Sequence, residues 1–247
     1  DGASDDEIKE FLTLMAEREV SVAELVGAAR AMRSKMNAIS LPDDLLTVDT
    51  CGTGGSGYDT FNTSTVSAFV VAAAGIAVTK HGNRAATSRC GSADLLEALG
   101  INLDLEIEKI PELLAQTNFC FLFAPKHHPA TKRVVMVRRE LGFRTIFNFL
   151  GPLSSPVHVK RQVLGVSDSY MQKIMAEALL ELGAERALVV RGEEGLDELS
   201  LSSETKVYEI SAGEISEYKI SPEDLDLRRV SLEDVSGKEK AEAVALS

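Results

Sequence analysis

The stretch that decides the fold begins at Leu45-Leu46-Thr47-Val48-Asp49. It passes through Thr50-Cys51 into the loop Gly52-Thr53-Gly54-Gly55-Ser56-Gly57, and reaches Asn62-Thr63-Ser64-Thr65 at the head of an Ala/Val-rich run. A short apolar run ending in polar residues reads as a strand over 45–49, and the Ala/Val-rich run reads as a buried helix over 63–75. A second strand follows at 76–79 and ends at Lys80-His81-Gly82-Asn83-Arg84. Strand, glycine loop, helix and strand in this order imply a parallel sheet with crossover helices.

Working outward, the same alternation continues. Helices are predicted over 92–99, stopped by Gly100, and over 108–116, with Pro111 in the first turn. A strand over 119–123 precedes a basic helix over 129–141. A short apolar piece, 145–147, runs into Leu150-Gly151-Pro152. A strand over 162–166, a helix over 169–182 and a strand over 187–190 follow. The pattern then changes to two polar-faced strands, 206–210 and 217–220, around Ser211-Ala212-Gly213, which predicts a hairpin. Upstream, Ser4 with Glu7 and Ser21 with Glu24 match the capping-box spacing, so the first 36 residues read as two helices. The predicted class is α/β, a mainly parallel sheet with crossover helices plus a small all-helical domain. Residues 1–42 are assigned to that helical domain, joined by a segment near 108–142, and residues 43–247 to the α/β domain.

The 247 residues are 45% hydrophobic and 26% charged, the composition of a globular protein large enough to bury a sizeable core. That excludes collagen, a coiled-coil rod and a wholly disordered chain. The formal charge of −12 argues against duplex DNA or an anionic membrane as partner. The longest near-apolar run, residues 66–78, has about 13 residues, too few to span a bilayer. The first ten residues carry no signal-peptide pattern. Cys51, Cys90 and Cys120 form no CxxC motif, so neither a disulfide framework nor a zinc site is expected, and a reducing cytoplasm is the predicted setting. Charge is uneven: residues 193–247 hold 15 acids against 6 bases, whereas residues 126–144 hold six bases against Glu140 alone. A basic island in an acidic chain suggests an anionic small ligand or, more plainly, a solvated helix face.

The glycine loop matches G-x-G-x-x-G, but a dinucleotide site also needs an acid at the end of the second strand. Here that strand ends in Lys80, wrong for a ribose diol and right for a phosphate. No Walker A sequence occurs. Backbone amides freed of side chains suit phosphate oxygens, so the loop is read as an anion cradle. Asn62-Thr63-Ser64-Thr65 carries more polar side chains than a helix cap needs. It reads as a second cradle, in which Ser64 or Thr65 can ligate a metal carried by the phosphate. Lys80, His81, Asn83 and Arg84 lie at the sheet edge where open α/β folds bind ligands. Their loop opens a small polar run that can close over a ligand. Asp197-Glu198 is read either as a solvated acidic loop or as a magnesium pair completed by phosphate. His127-His128-Pro129 starts the basic helix, and Arg138 lies ten residues after His128. On an unbroken helix the two share one face about 15 Å apart, placed for a carboxylate. No Ser–His–acid spacing points to a hydrolase, and Cys51 reads as a small buried filler.

Together these motifs resemble the anthranilate phosphoribosyltransferase family. The resemblance rests on Asp49 to Gly55, Phe61 to Thr65, Lys80 to Arg84 and Gly91-Ser92-Ala93-Asp94. It continues in the same order through Arg144 to Asn148, Leu150 to Leu153 and Gly195-Leu196-Asp197-Glu198. It covers residues 45–200 closely and the helical start loosely. It implies joining of the anthranilate amine to the ribose of phosphoribosyl pyrophosphate, with release of pyrophosphate, in tryptophan biosynthesis. It also implies Mg2+ and a homodimer, with no nucleic-acid or membrane partner.

Carried over by motif, Gly52, Gly55, Ser56, Thr60, Asn62, Thr63, Ser64 and Thr65 would hold the sugar phosphates. So would Lys80, His81, Gly82, Asn83, Arg84, Ser88 and Ser92. Ser64, Asp197 and Glu198 would hold magnesium. Gly52, Asn83, His128, Arg138 and Gly151 would line the anthranilate path, with Lys80 and Arg138 as the catalytic residues. Ser56 stands where the family commonly has an acid. The resemblance also implies further chain before residue 1 and beyond residue 235. Pyrimidine nucleoside phosphorylases, with the same fold and a different motif in place of residues 80–84, are the alternative, followed by a non-catalytic relative.

Overall fold

The computed structural model describes residues 2–85 and 90–235. Two helices open it, α1 (Asp5–Ala16) and α2 (Val22–Arg33), and both capping boxes form: Ser4 and Ser21 each exchange hydrogen bonds with the Glu three residues on. The chain then enters β1 (Thr47–Gly52), α3 (Thr63–Ala73), β2 (Ala77–Gly82) and α4 (Ser92–Ala98). Next come α5 (Ile110–Thr117), β3 (Phe119–Phe123), α6 (Ala124–His127), α7 (Lys132–Leu141) and α8 (Phe147–Leu150). The last elements are β4 (Arg161–Gly165), α9 (Ser169–Glu181), β5 (Arg186–Gly192), β6 (Thr205–Ser211) and β7 (Glu214–Ile220).

The seven strands form one sheet in the order β3-β2-β1-β4-β5-β6-β7. The first five are parallel and the β6–β7 hairpin is added antiparallel to β5. This is the predicted mainly parallel α/β class. Ala212 and Gly213 form the hairpin tip, both with positive φ (52° and 82°), as a two-residue turn between twisted strands requires.

One face of the sheet carries α3, whose Ala68 and Ala72 let the helix lie close on Val48 and Val78. The other face carries the largest core. There Leu12, Leu25, Val26 and Ala29 of the first two helices pack with Leu153, Leu164, Met175 and Val189. Helix α1 rests on α7, and α2 on α8 and α9, so the N-terminal helices share a core with the sheet.

Several predicted boundaries move, three of them around the candidate site residues. β1 begins two residues later and runs on to Gly52, because residues 48–52 pair one for one with residues 161–165 of β4. β2 extends past residue 79 to Gly82, because Lys80, His81 and Gly82 pair with Phe121, Leu122 and Phe123 of β3. The helix expected over 129–141 is broken. His128 (φ −120°, ψ 60°) ends α6, Pro129–Thr131 forms a 3-10 turn, and α7 starts only at Lys132. His128 and Arg138 therefore do not share one continuous helix face.

Candidate active site

Gly52 ends β1 beside Gly165 at the end of β4, and Asp197 packs closely on both, with its side chain on the first and its backbone on the second. A Cβ on Gly52 would sit 2.6 Å from Asp197 Oδ2, and one on Gly165 would overlap the Asp197 carbonyl. The two glycines let the loop after β5 lie across the strand ends and bring Asp197 to the glycine loop. There Gly54 N donates to Asp197 Oδ2 at 2.8 Å. Tyr58 Oη also donates to the Glu194 carbonyl at 3.1 Å. Gly54, Gly55 and Gly57 have φ of 68°, 76° and 80°, which side-chain-bearing residues rarely adopt.

Arg144 holds this loop from behind. Its Nη2 donates to Gly54 O at 3.2 Å and its Nη1 to Ser167 Oγ at 3.1 Å, while Ser167 Oγ donates to the same Gly54 carbonyl at 2.8 Å. Neither Arg144 nor Ser167 stands among the sequence candidates. The net +5 of residues 126–144, with Arg144 at its end, is the signal that marks the former.

Lys80 lies in β2 with only 1% of its surface exposed. Its Nζ donates to Thr50 O and, at 3.0 Å, to Ser64 Oγ. Burial lowers its pKa, and Asp49, Cys51 and Glu198 oppose that shift. Beside it, Glu198 is pushed up to about 7 by burial, with a hydrogen bond from Thr63 lowering it and Asp197 raising it further. Asn62 precedes α3 without capping it: its Oδ1 accepts from Thr65 Oγ1 at 2.7 Å and its Nδ2 donates to Cys90 O at 3.3 Å. Gly52, Gly54, Gly55, Thr63, Ser64, Lys80, Asp197 and Glu198 thus meet at one end of the sheet. Thr60 is half-buried between the glycine loop and α3, and Ser56 Oγ accepts from Tyr58 N at 3.4 Å.

His81 projects to the opposite face of β2. Its Nδ1 lies 3.1 Å from Gly151 O, and its ring centre is 5.1 Å from that of His128. Burial drives His81 down to about 3 and His128 to about 4, so both rings are neutral at pH 7. Arg138 Nη2 donates to Asn148 Oδ1 at 3.1 Å and its guanidinium lies 5.8 Å from the Phe147 ring centre. A cavity of about 640 Å³ opens beyond His128 among α1, α2, α7 and α8.

The remaining candidates follow β2 and reach the start of α4. Arg84 is held by Glu97 and Asp94 of α4, so its fork is engaged by carboxylates in this structure. Asn83 Oδ1 accepts from Arg84 N, and its carbonyl accepts from Ser92 Oγ at 3.3 Å. Gly82 leaves room for that serine. Ser88 lies outside the described residues. Among the described residues no group of three or more His, Cys, Asp and Glu side chains is arranged to hold a metal. An acid pair completed by substrate oxygens is instead the donor set suited to Mg2+.

A family model described as "Glycosyl transferase family, a/b domain" matches residues 45–246. The anthranilate phosphoribosyltransferase of Persephonella marina is 48% identical over 235 residues, 95% of this chain and 69% of its own length. That of Cellvibrio japonicus is 50% identical over 231 residues, 94% of this chain and 67% of its own. The chain belongs to the anthranilate phosphoribosyltransferase family.

Solved structures of the family agree. The Thermus thermophilus member has a TM-score of 0.90 at 44% identity, covering 99% of this chain and 72% of that one. The Saccharomyces cerevisiae member, solved in complex with PRPP and Mg, also has a TM-score of 0.90, at 30% identity and 98% and 67% coverage. Among the described residues no helix of this family member is long and apolar enough to cross a membrane.

Proposed function

We infer that the chain transfers the phosphoribosyl group of phosphoribosyl pyrophosphate to the amine of anthranilate, releasing pyrophosphate, the tryptophan-branch reaction its relatives are named for. The observation that carries this reading is the meeting of the glycine loop with Asp197 across the ends of β1 and β4, with Lys80 beneath Ser64. The yeast relative is described with PRPP and Mg, and in another structure with 4-fluoroanthranilate.

In this reading the loop amides of 52–57, the 62–65 turn and Lys80 bind the sugar phosphates, with Asn83 and Ser92 at the rim. Mg2+, when bound by Asp197 and Glu198 with Ser64, would neutralise charge on the leaving pyrophosphate. The bond from ribose C1 to the pyrophosphate oxygen breaks, the anthranilate nitrogen bonds to C1, and the amine passes one proton to the departing pyrophosphate or to solvent. His81 and His128 are weak bases with pKa near 3 and 4, and an aniline nitrogen is itself only weakly basic. The acceptor side therefore works by placing the amine rather than by stripping its proton first. Arg138, next to Asn148 and Phe147, is assigned to the anthranilate carboxylate.

A homodimer in the cytoplasm belongs to the same reading. Exposed Phe11 and Leu14 on α1 and Met136 on α7, two helices packed together, support such an interface, and sedimentation equilibrium tests it. Isothermal titration separates the transferase from the nucleoside phosphorylase alternative. Phosphoribosyl pyrophosphate with Mg2+ is expected to bind, and thymidine with orthophosphate is not; the reverse would overturn the assignment.

A further inference from the structure

His81 and Gly151 are held by a ring of buried and half-buried groups on the face of the sheet away from α3. Asp49 pairs with Gln162 across β1 and β4, and strand alternation puts Cys51 and His81 on that same face. Asp49 Oδ1 accepts from His81 N at 3.2 Å. His81 Nδ1 meets Gly151 O at 3.1 Å. Gln162 Nε2 donates to Pro152 O at 3.0 Å and to Cys51 Sγ at 3.0 Å, and the thiol lies against the Asp49 carboxylate. Cys51, expected to be a filler, is thus a link in the ring.

A carbonyl can only accept, so Nδ1 of His81 carries the proton and Nε2 of the neutral ring carries a lone pair. That Nε2 is buried and has no hydrogen-bond partner among the described residues. Buried acceptors are normally satisfied, and this lone pair is left for a donor that the chain itself does not supply. An aromatic amine is such a donor.

We propose that Gln162 is a positioning residue for the acceptor amine. By holding Pro152 O, it keeps Gly151 O on His81 Nδ1 and so presents His81 Nε2 as a fixed hydrogen-bond acceptor. The rigid φ of Pro152 couples the two carbonyls, so anchoring one orients the other. Gln162 itself touches no substrate. The part concerning the amine rests on the anthranilate reading above; the link from Gln162 to the His81 tautomer does not.

The chain has four histidines, so 15N-histidine labelling gives a spectrum in which His81 can be assigned. Wild-type His81 is expected to be neutral with Nδ1 protonated and Nε2 bare; an Nε2–H tautomer overturns the proposal without any variant. Gln162→Met keeps the volume and removes the donor. It is expected to shift His81 toward the other tautomer and raise the anthranilate KM about tenfold or more. Binding of phosphoribosyl pyrophosphate with Mg2+ is expected to stay within about twofold, since the Gln162 amide bonds Cys51 and Pro152 and no group assigned to the sugar phosphates. Gln162→Leu, which has no proton to give, is the second variant and is expected to act the same way. An unmoved tautomer in a folded variant, or equal losses for both substrates, overturns the proposal. A tautomer that moves while the anthranilate KM stays put supports the Gln162–His81 link and overturns the placement of the amine.

Discussion

Asp197 and Glu198 sit on one loop in two different environments. Asp197 accepts from the Gly54 amide, whereas Glu198 is half-buried beside Thr63 and Lys80 and holds its proton up to about pH 7. A proton on Glu198 competes with a cation for the same oxygens. Apparent Mg2+ affinity is therefore expected to rise with pH up to about 7 and then level off, and Glu198→Gln is expected to flatten that profile. Asp197→Asn combined with Glu198→Gln is expected to lower kcat/KM at least tenfold, or ~1.4 kcal/mol, in Mg2+-dependent assays. An unchanged Mg2+ dependence would mark the pair as a solvated loop. Ser56→Asp, which restores the family's acid at a half-buried position of the glycine loop, is expected to change the Mg2+ optimum; an unmoved optimum and rate would make the position neutral. Arg138→Ala is expected to raise the anthranilate KM by the equivalent of about 1.5–3 kcal/mol, the worth of a charged hydrogen bond, while leaving sugar-phosphate binding near its wild-type value. Equal loss for both substrates would point to damaged folding instead. At this scale residue types were legible and environments were not. A lysine at a strand end announces a phosphate, but only the pairing with β3 shows that Lys80 is buried. Arg84 reads as a phosphate fork, and the sequence does not show that Glu97 and Asp94 stand beside it.

Single elements decide where those side chains meet. Charge at residues 80–84 read as a loop, yet β2 runs through Lys80 and His81 because β3 offers Phe121 and Leu122 as partners. The alternation of a strand then sends Lys80 toward Ser64 and His81 toward Gly151, splitting one sequence motif between two clusters. His127-His128-Pro129 marks a helix start in the sequence, but Pro129 and the non-helical backbone of His128 break the helix, so the ten-residue spacing loses its meaning. The strand-end glycines carry the sharpest element-level prediction. Gly165→Ala is expected to push the Asp197 carbonyl off the strand end and cost far more Mg2+-dependent activity than Gly57→Ala, whose Cβ meets open space and adds only φ strain of about 1–2 kcal/mol. Similar losses in the two variants would show that the acidic loop does not depend on that close approach.

Across the whole molecule, local signals were enough for the architecture. Capping boxes at Ser4 and Ser21 and the hairpin tip at Ala212-Gly213 each appear as read, because each is fixed by contacts within a few residues. Arg144 reaching Gly54 across 90 residues, Gly165 making room for Asp197, and Gln162 tying Pro152 to Cys51 were not legible, because they depend on which strands become neighbours. The same long-range placement is what makes a glycine loop, a lysine and two acids into one site at the sheet's C-terminal edge. The most direct test of that site's function follows anthranilate fluorescence in the full reaction with phosphoribosyl pyrophosphate and Mg2+. Fluorescence is expected to fall as pyrophosphate appears in equal amount, and to hold steady when Mg2+ is chelated first; constant fluorescence and no pyrophosphate with Mg2+ present at high protein concentration would contradict the assignment.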